Sequence, residues 1–159
     1  MTTPRKWYLA TWPPLAWAET LIKGVGQVIG IIALVGAFSG AGFAAPGGVR
    51  LAQTIVMGIL ALGLTVGIAD RIQYREIISM LFILTNNLAH WGIVLALLAG
   101  NDRYLLPFAA IFLVGDLVKV VFIRVHRFTV GELPQKVIYG LVSVYVVGYA
   151  LVLGLELFK

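Results

Sequence analysis

Five polar side chains lie inside long apolar stretches of this chain, and they are the first candidates for chemistry. They are Asn86, Asn87 and His90 in one stretch and Asp116 and Lys119 in another. A polar or charged group within a bilayer costs free energy unless it is paired or reached by water, so each is a candidate for a binding site or an ion pathway. Asp116 is the most informative, because an intramembrane carboxylate could relay protons, coordinate a cation or pair with a ligand amine.

Helical spacing predicts which of these groups can meet. At 100° per residue, Ser79 shares one arc of a helix with the three candidates of its stretch, which predicts a single polar stripe. Asp116 and Lys119 are three residues apart, the spacing of an ion pair within one helix. A rise of about 1.5 Å per residue places Asp116 roughly 10 Å and Asn86 roughly 13 Å from the same membrane face. We therefore expect the stripe to face the bundle interior and to approach Asp116 across the short turn at 101–102.

Each candidate also has an ordinary structural explanation. Lys119 could extend its ammonium to the headgroup layer, or it could be the structural partner of Asp116. The asparagines could form hydrogen bonds between helices. His126 falls in a loop, so two axial haem ligands or a histidine-rich metal site are not expected within the membrane. The chain has no cysteine, which excludes thiolate ligands, and we predict neither a metal nor another cofactor.

The elements that carry these residues are too apolar for a soluble domain. Hydrophobic residues make up 60% of the 159 residues and charged residues only 12%, too few to coat a soluble core. About 20 helical residues cross a hydrocarbon layer of about 30 Å, and continuous apolar runs do not alternate as barrel strands do. The predicted fold class is therefore all-α: a polytopic integral membrane protein with one bundle of five transmembrane helices, at residues 24–44, 51–69, 77–100, 104–123 and 137–157.

Residues 1–23 form an aromatic and basic entry segment that we expect to lie along the membrane surface before the 24–159 bundle. Pro14 suits the first turn of a helix, where its missing N–H needs no partner. Glu19 and Lys23 are four residues apart, a spacing that allows an exposed ion pair of small worth. A cleavable signal peptide is the alternative interpretation of this region, but its leading segment is too long and too aromatic.

The Lys/Arg distribution predicts the orientation of the bundle. One side of a five-span topology receives Arg5, Lys6, Lys23, Arg71, Arg75, Arg124, Arg127 and Lys136, whereas the other receives Arg50, Arg103 and Lys159. The N-terminus is therefore predicted to be cytoplasmic and the C-terminus external, in a bacterial inner membrane. The positive charge fits contact with anionic lipid headgroups, and nucleic-acid binding is not expected because no basic face alternates with aromatic residues.

Glycines at four-residue spacing leave a flat groove along one face of a helix, because they have no side chain, and a second backbone can approach closely there. The first span carries two such pairs and the second span one, namely Gly26 with Gly30, Gly36 with Gly40, and Gly63 with Gly67. These grooves predict packing between helices of the same chain or, alternatively, a face for a homo-oligomer or a membrane-protein partner. In particular, Gly30 and Gly40 are expected to face another helix.

Motifs of soluble enzymes are missing from the sequence. It contains no phosphate-binding loop, no dinucleotide fingerprint and no H-E-x-x-H, and an enzyme acting on lipid is disfavoured because few acids or bases are present. The sequence favours a small non-catalytic membrane protein that acts as a subunit, scaffold or small-ligand binder within a membrane assembly. The alternative is a small oligomeric transporter or channel that uses the polar cluster around Asp116.

In length, number of spans and tryptophan content the chain resembles the tryptophan-rich sensory proteins of the translocator family. Trp7, Trp12 and Trp17 precede the first predicted span, and Trp91 lies within the third. The resemblance lies in these proportions alone, so it implies no fold detail and no ligand site.

Overall fold

Five long helices follow from the five apolar stretches. The computed structural model describes residues 12–39, 42–71, 77–127 and 134–159. The helices are α1 (Pro14–Phe38), α2 (Gly48–Arg71), α3 (Ile77–Leu98), α4 (Leu105–His126) and α5 (Gln135–Leu155), and a 3₁₀ turn (Glu156–Phe158) follows α5. These residues contain no strand, and each of the five helices is long and apolar enough to cross a membrane. The predicted fold class, an all-helical membrane protein with five candidate spans, is confirmed.

The first helix starts earlier than the sequence analysis places the first span. α1 begins at Pro14, directly after the extended Pro13, rather than at residue 24. Proline is favoured in the first turn because the N–H that it lacks would have no partner there. Glu19 and Lys23 therefore lie inside a candidate span, and the expectation that they form an exposed pair is wrong, because both side chains are largely buried.

The helices form a closed ring in the order α1, α3, α2, α5 and α4. The main backbone contacts join α1 to α3 and α4, α4 to α5, α5 to α2, and α2 to α3. The turn at 99–104 therefore connects two helices that face each other across the ring, with α1 packed between them. The short turn therefore joins the ends of two helices that are not neighbours in the ring.

The interior of the ring is filled differently at its two ends. A large apolar core occupies the end near the α3–α4 turn and includes Met57, Ile93, Leu97 and Phe108. A smaller core near the start of α1 contains Ala16, Phe122, Ile123, Ile138 and Val142. Large apolar side chains also cover the outside of the helices, as expected for a surface that contacts lipid. The buried charged side chains of Lys23 and Asp116 lie between the two cores, whereas buried His90 packs against Phe108 of the large core.

Glycine permits an unusually close approach of α1 and α3. A Cβ added at Gly30 would lie 2.5 Å from the carbonyl oxygen of Ala89, and one added at Gly92 would lie 2.2 Å from the carbonyl oxygen of Gly30. Both neighbours are backbone atoms, which cannot rotate away as a side chain can. Gly30 belongs to a predicted glycine groove, whereas Gly92 belongs to none and was not predicted.

The other glycines of the predicted grooves have different surroundings. A Cβ at Gly26 would lie 2.5 Å from the ring of Phe112, and one at Gly63 would lie 2.8 Å from the hydroxyl of Tyr145, whereas the nearest neighbour at Gly36 is 3.9 Å away. Gly67 is partly buried on α2. Gly40 lies outside the described residues.

An ionic cluster holds the helix ends together at the α3–α4 turn. Asp102 in the turn accepts a hydrogen bond of 3.1 Å from Arg50 of α2 and another from Lys159 after α5. Gln53 of α2 donates to Glu156 at 2.9 Å. The hydrogen bond from Lys159 is the main reason why the pKa of Asp102 lies below its ordinary value. The cluster therefore joins α2, the α3–α4 turn and the end of α5.

Candidate functional site

Four charged side chains inside the bundle form a chain of alternating charge, here called the ion chain. Nζ of Lys119 lies 3.3 Å from Oε1 of Glu19, which lies 2.8 Å from Nζ of Lys23, which in turn lies 2.5 Å from Oδ1 of Asp116. The Lys23 and Asp116 side chains are only 7% and 6% exposed. Two carboxylates and two ammonium groups cancel, so the ion chain as a whole is formally neutral.

The partners in the ion chain come from two helices rather than one. The three-residue spacing predicts a pair between Asp116 and Lys119 within α4. The structure joins Asp116 to Lys23 and Lys119 to Glu19, both on α1. These contacts between helices form because α1 lies directly against α4 and presents a carboxylate and an ammonium one helical turn apart.

Local sequence explains how α1 reaches Asp116. Glu19, Lys23 and Gln27 are spaced by four residues and therefore share one face of the helix. A Cβ at Gly115 of α4 would lie 2.8 Å from Cγ of Lys23. The missing side chain at Gly115 thus leaves room for the aliphatic stem of Lys23 to cross α4, so that its ammonium meets Asp116.

The ion chain borders a cavity of about 140 Å³ that all five helices line. The cavity lies toward the end of the bundle where α1 starts, between the two apolar cores. Its other walls are rich in aromatic rings, which come from Trp12, Phe82, Phe112, Phe122, Tyr145 and Tyr149. Charged and polar groups on one side and aromatic rings on the others give the cavity an amphipathic lining.

His90 lies fully buried behind the cavity wall. Its Nδ1 is 2.7 Å from the backbone oxygen of Asn86, and its Nε2 is 2.5 Å from the hydroxyl of Tyr149. A carbonyl oxygen can only accept, so Nδ1 carries a hydrogen, and the other nitrogen of the neutral imidazole accepts from Tyr149. The rings of Phe108 and Phe112 pack edge-on at centroid distances of 4.9 and 4.7 Å. His90 therefore orients Tyr149, which lines the cavity.

The predicted polar stripe of α3 divides between three environments. Asn86 lines the cavity together with Asp116 and Ser79, whereas His90 sits in the core behind it. Asn87 points to α2 instead, where its Nδ2 donates to the backbone oxygen of Ala61 at 3.2 Å and to Oγ1 of Thr65 at 2.9 Å. Asn87 thus joins α2 to α3, because the 100° step between residues 86 and 87 turns it out of the interior.

Two polar atoms on the α3 side of the cavity have no hydrogen-bond partner among the residues that the structure describes. They are Oγ of Ser79 and Oδ1 of Asn86, and the Ser79 residue is only 3% exposed. Buried polar atoms are nearly always hydrogen-bonded to protein or to water. These two atoms therefore mark where a water molecule or a ligand would supply the missing hydrogen bond.

Three residues of the site went unrecognised in the sequence, namely Glu19, Lys23 and Gln27 of α1. Gln27 donates to the backbone oxygen of Phe82 at 3.3 Å and accepts a hydrogen bond from Thr85 at 2.7 Å, which ties α1 to α3 beside the cavity. The four-residue spacing was the available signal. Glu19 and Lys23 fall within the aromatic and basic segment 1–23, whose composition is typical of the membrane surface.

No group of three His, Cys, Asp or Glu side chains within the described ranges lies close enough to hold a metal ion. Comparison of the chain with protein-family models, with curated proteins and with solved structures found no match.

Proposed function

We propose that the protein is a non-catalytic membrane protein that binds a small molecule within its helical bundle, in the cavity beside the ion chain. The observation that carries this proposal is the cavity itself, to which all five helices contribute and which combines aromatic walls with unpartnered polar atoms. Small-molecule sites in proteins are concave, largely apolar and equipped with a few polar groups that orient the ligand.

The ion chain supports a binding role because it holds the wall of the cavity in a fixed arrangement. Each of its charges would be costly in a membrane if it were alone, and mutual pairing lowers that cost. Glu19 bridges both lysines, and Lys23 bridges both carboxylates. Moving α1 away from α4 would therefore separate several charges at once, which favours a pre-formed site.

The packing of the opposite half favours binding over conduction. A channel would need a polar route past His90 and Tyr149, but the large core there is filled by Ile93, Leu97 and Phe108. The cavity therefore supports a binding site more directly than it supports the transporter or channel that is the alternative function.

The Lys/Arg distribution supports an orientation for this site. With the N-terminus in the cytoplasm and the C-terminus outside, as the positive-inside rule favours, the cavity lies in the cytoplasmic half of a bacterial inner membrane. A ligand would then enter from the cytoplasm or from the inner leaflet. Membrane lipids surround the bundle in this proposal, and a homo-oligomer or a membrane-protein partner would use the outer helix faces.

The test is binding of small aromatic probes to the purified protein in lipid nanodiscs, measured by equilibrium dialysis and thermal unfolding. Phenol and indole should bind saturably and raise the melting temperature. Val142 lines the cavity, so Val142→Phe should fill it and abolish binding. Val147→Phe is the matched control, because Val147 is exposed on the same helix. Equal uptake by both variants would show that the probes merely dissolve in the lipid and would overturn the proposal.

A further inference from the structure

We propose that the ligand is a neutral molecule about the size of one or two fused aromatic rings, and that it carries a hydroxyl or N–H donor that binds at Asn86 and Ser79. This inference rests on the proposed binding function and adds to it the size, the charge and the polarity of the ligand. Each of these three properties follows from a separate observation.

The size of the ligand follows from the volume of the cavity. Its volume of about 140 Å³ is close to that of an engineered protein cavity of about 150 Å³ that accepts benzene. The aromatic walls favour a flat molecule, since rings stack in offset or edge-on arrangements. Phe112 and Tyr149, whose ring centroids are 5.7 Å apart and inclined by 37°, form one such surface.

The neutrality of the ligand follows from the pairing within the ion chain. Glu19, Lys23, Asp116 and Lys119 already satisfy one another and sum to zero charge. A cationic or anionic ligand would add an uncompensated charge to a buried site, or it would have to break an existing pair. Both events oppose binding, so a neutral ligand is favoured.

The need for a hydrogen-bond donor on the ligand follows from the acceptor atoms of the residues that line the cavity. Oδ1 of Asn86 is an unpartnered acceptor, and Oγ of Ser79 can accept as well as donate. The Tyr149 hydroxyl gives its hydrogen to His90, so its oxygen can only accept from a ligand. All three oxygens can accept a hydrogen bond, so a ligand with an O–H or N–H group satisfies them.

The experiment compares probes that differ only in the donor or in charge. Phenol is paired with fluorobenzene, and indole with benzofuran, because each second member keeps the shape and lacks the donor. Benzylammonium and benzoate test the charge. In nanodiscs holding the full chain, phenol and indole should bind about tenfold more tightly than their donor-free counterparts, the ratio expected for one hydrogen bond. The two ions should bind more weakly than phenol.

Substitutions at Ser79 and Asn86 test whether the preference for probes with a donor arises at these two residues. Ser79→Ala and Asn86→Leu should each reduce the ratio between the phenol and fluorobenzene affinities toward one. Ser143→Ala is the matched control, because Ser143 lies exposed on α5. Ser79→Ala removes a single atom, so it provides the test even where Asn86→Leu fails to fold.

The possible results separate this inference from the proposed function. Saturable binding in which phenol and fluorobenzene are equal, or in which an ion binds best, overturns the inference and leaves the binding function standing. A donor preference that survives in both α3 variants also overturns it. Failure of every probe to bind in the cavity refutes both.

Discussion

A charge inside the bundle is stabilised by neighbouring charges rather than by water. The effect of removing one residue of the ion chain therefore depends on which partners the remaining charges keep. Lys23 donates to both Glu19 and Asp116. Loss of either carboxylate leaves its ammonium with one partner in a largely buried position. Loss of Lys23 and Asp116 together leaves the contact between Glu19 and Lys119 in place.

This arrangement predicts opposite behaviour for single and double substitutions. Asp116→Asn should lower the free energy of unfolding by about 3 kcal/mol, because removal of one partner leaves an undercompensated buried charge. The double variant Lys23→Met with Asp116→Leu should recover most of that loss, since well-packed apolar residues often replace a buried ion pair without cost. Equilibrium unfolding in mild detergent measures both values.

Lys136→Met serves as the control for that experiment, because it removes an exposed lysine at the start of α5 and should change stability by less than about 0.5 kcal/mol. Equal stability of Asp116→Asn and the double variant would show that the Lys23–Asp116 contact does not hold α1 to α4.

Single residues of the site were predictable where a polar or charged group interrupts an apolar run. Asp116 and Asn86 are examples, and both line the cavity. Their partners were not predictable in the same way. Lys23 lies next to an aromatic, basic segment whose composition is typical of the membrane surface, and the spacing along α4 contains no information about which helix lies beside it.

At the scale of the helices, α1 has the most extensive role. It contacts α3 on one side and α4 on the other, and it contributes Glu19 and Lys23 to the ion chain. Its closest approach is to α3 at Gly30 and Gly92. Because lipid offers no hydrophobic drive for association, close packing of this kind is a main source of stability between membrane helices.

A glycine-to-alanine series tests this contact. Gly30→Ala and Gly92→Ala should each destabilise the protein by about 1–3 kcal/mol. The new Cβ would overlap backbone atoms of the facing helix, and only separation of the two helices would relieve this overlap. Gly24→Ala is the matched control on α1, where nothing lies within 4 Å of an added Cβ. It should be neutral or stabilising by up to about 1 kcal/mol, since alanine favours helix.

Thermal unfolding of the three variants gives the comparison directly. A melting temperature of Gly30→Ala that matches that of Gly24→Ala would contradict the close contact between α1 and α3.

The number of helices was predictable from the sequence, but which helices pack against each other was not. Continuous apolar runs such as 151–155 predict a helix, because a membrane segment must satisfy all of its backbone hydrogen bonds internally. The glycine spacing predicted close packing of helices but did not indicate which helix packs against each groove. The short turn at 99–104 limits only the distance between the ends of α3 and α4, and α1 occupies the space between their backbones.

Across the whole molecule, the two ends of the bundle differ in character. One end contains the cavity and the ion chain, and the other contains the large apolar core and the ionic cluster around Asp102. The orientation in the membrane decides which compartment has access to the cavity, so it is the property on which the proposed function most depends.

Cysteine labelling determines that orientation without background, because the chain has no native cysteine. Single cysteines at Gly47 and Asn101 should react with a membrane-impermeant thiol reagent added to intact cells, and one at Gln73 should react only after permeabilisation. This pattern follows from the excess of Lys/Arg on the side of the N-terminus. The reverse pattern would place the cavity on the external side.

The position of α1 between α3 and α4 has a consequence for biosynthesis. Of the five helices, α1 leaves the ribosome before the others, and Asp116 and Lys119, its partners in the ion chain, are made only after α2 and α3. During that interval Glu19 and Lys23 are four residues apart on one helix and can neutralise each other. The local pair therefore lets the first helix enter the bilayer with its charges compensated before α4 exists, and the arrival of Asp116 later turns a temporary pair into a permanent network.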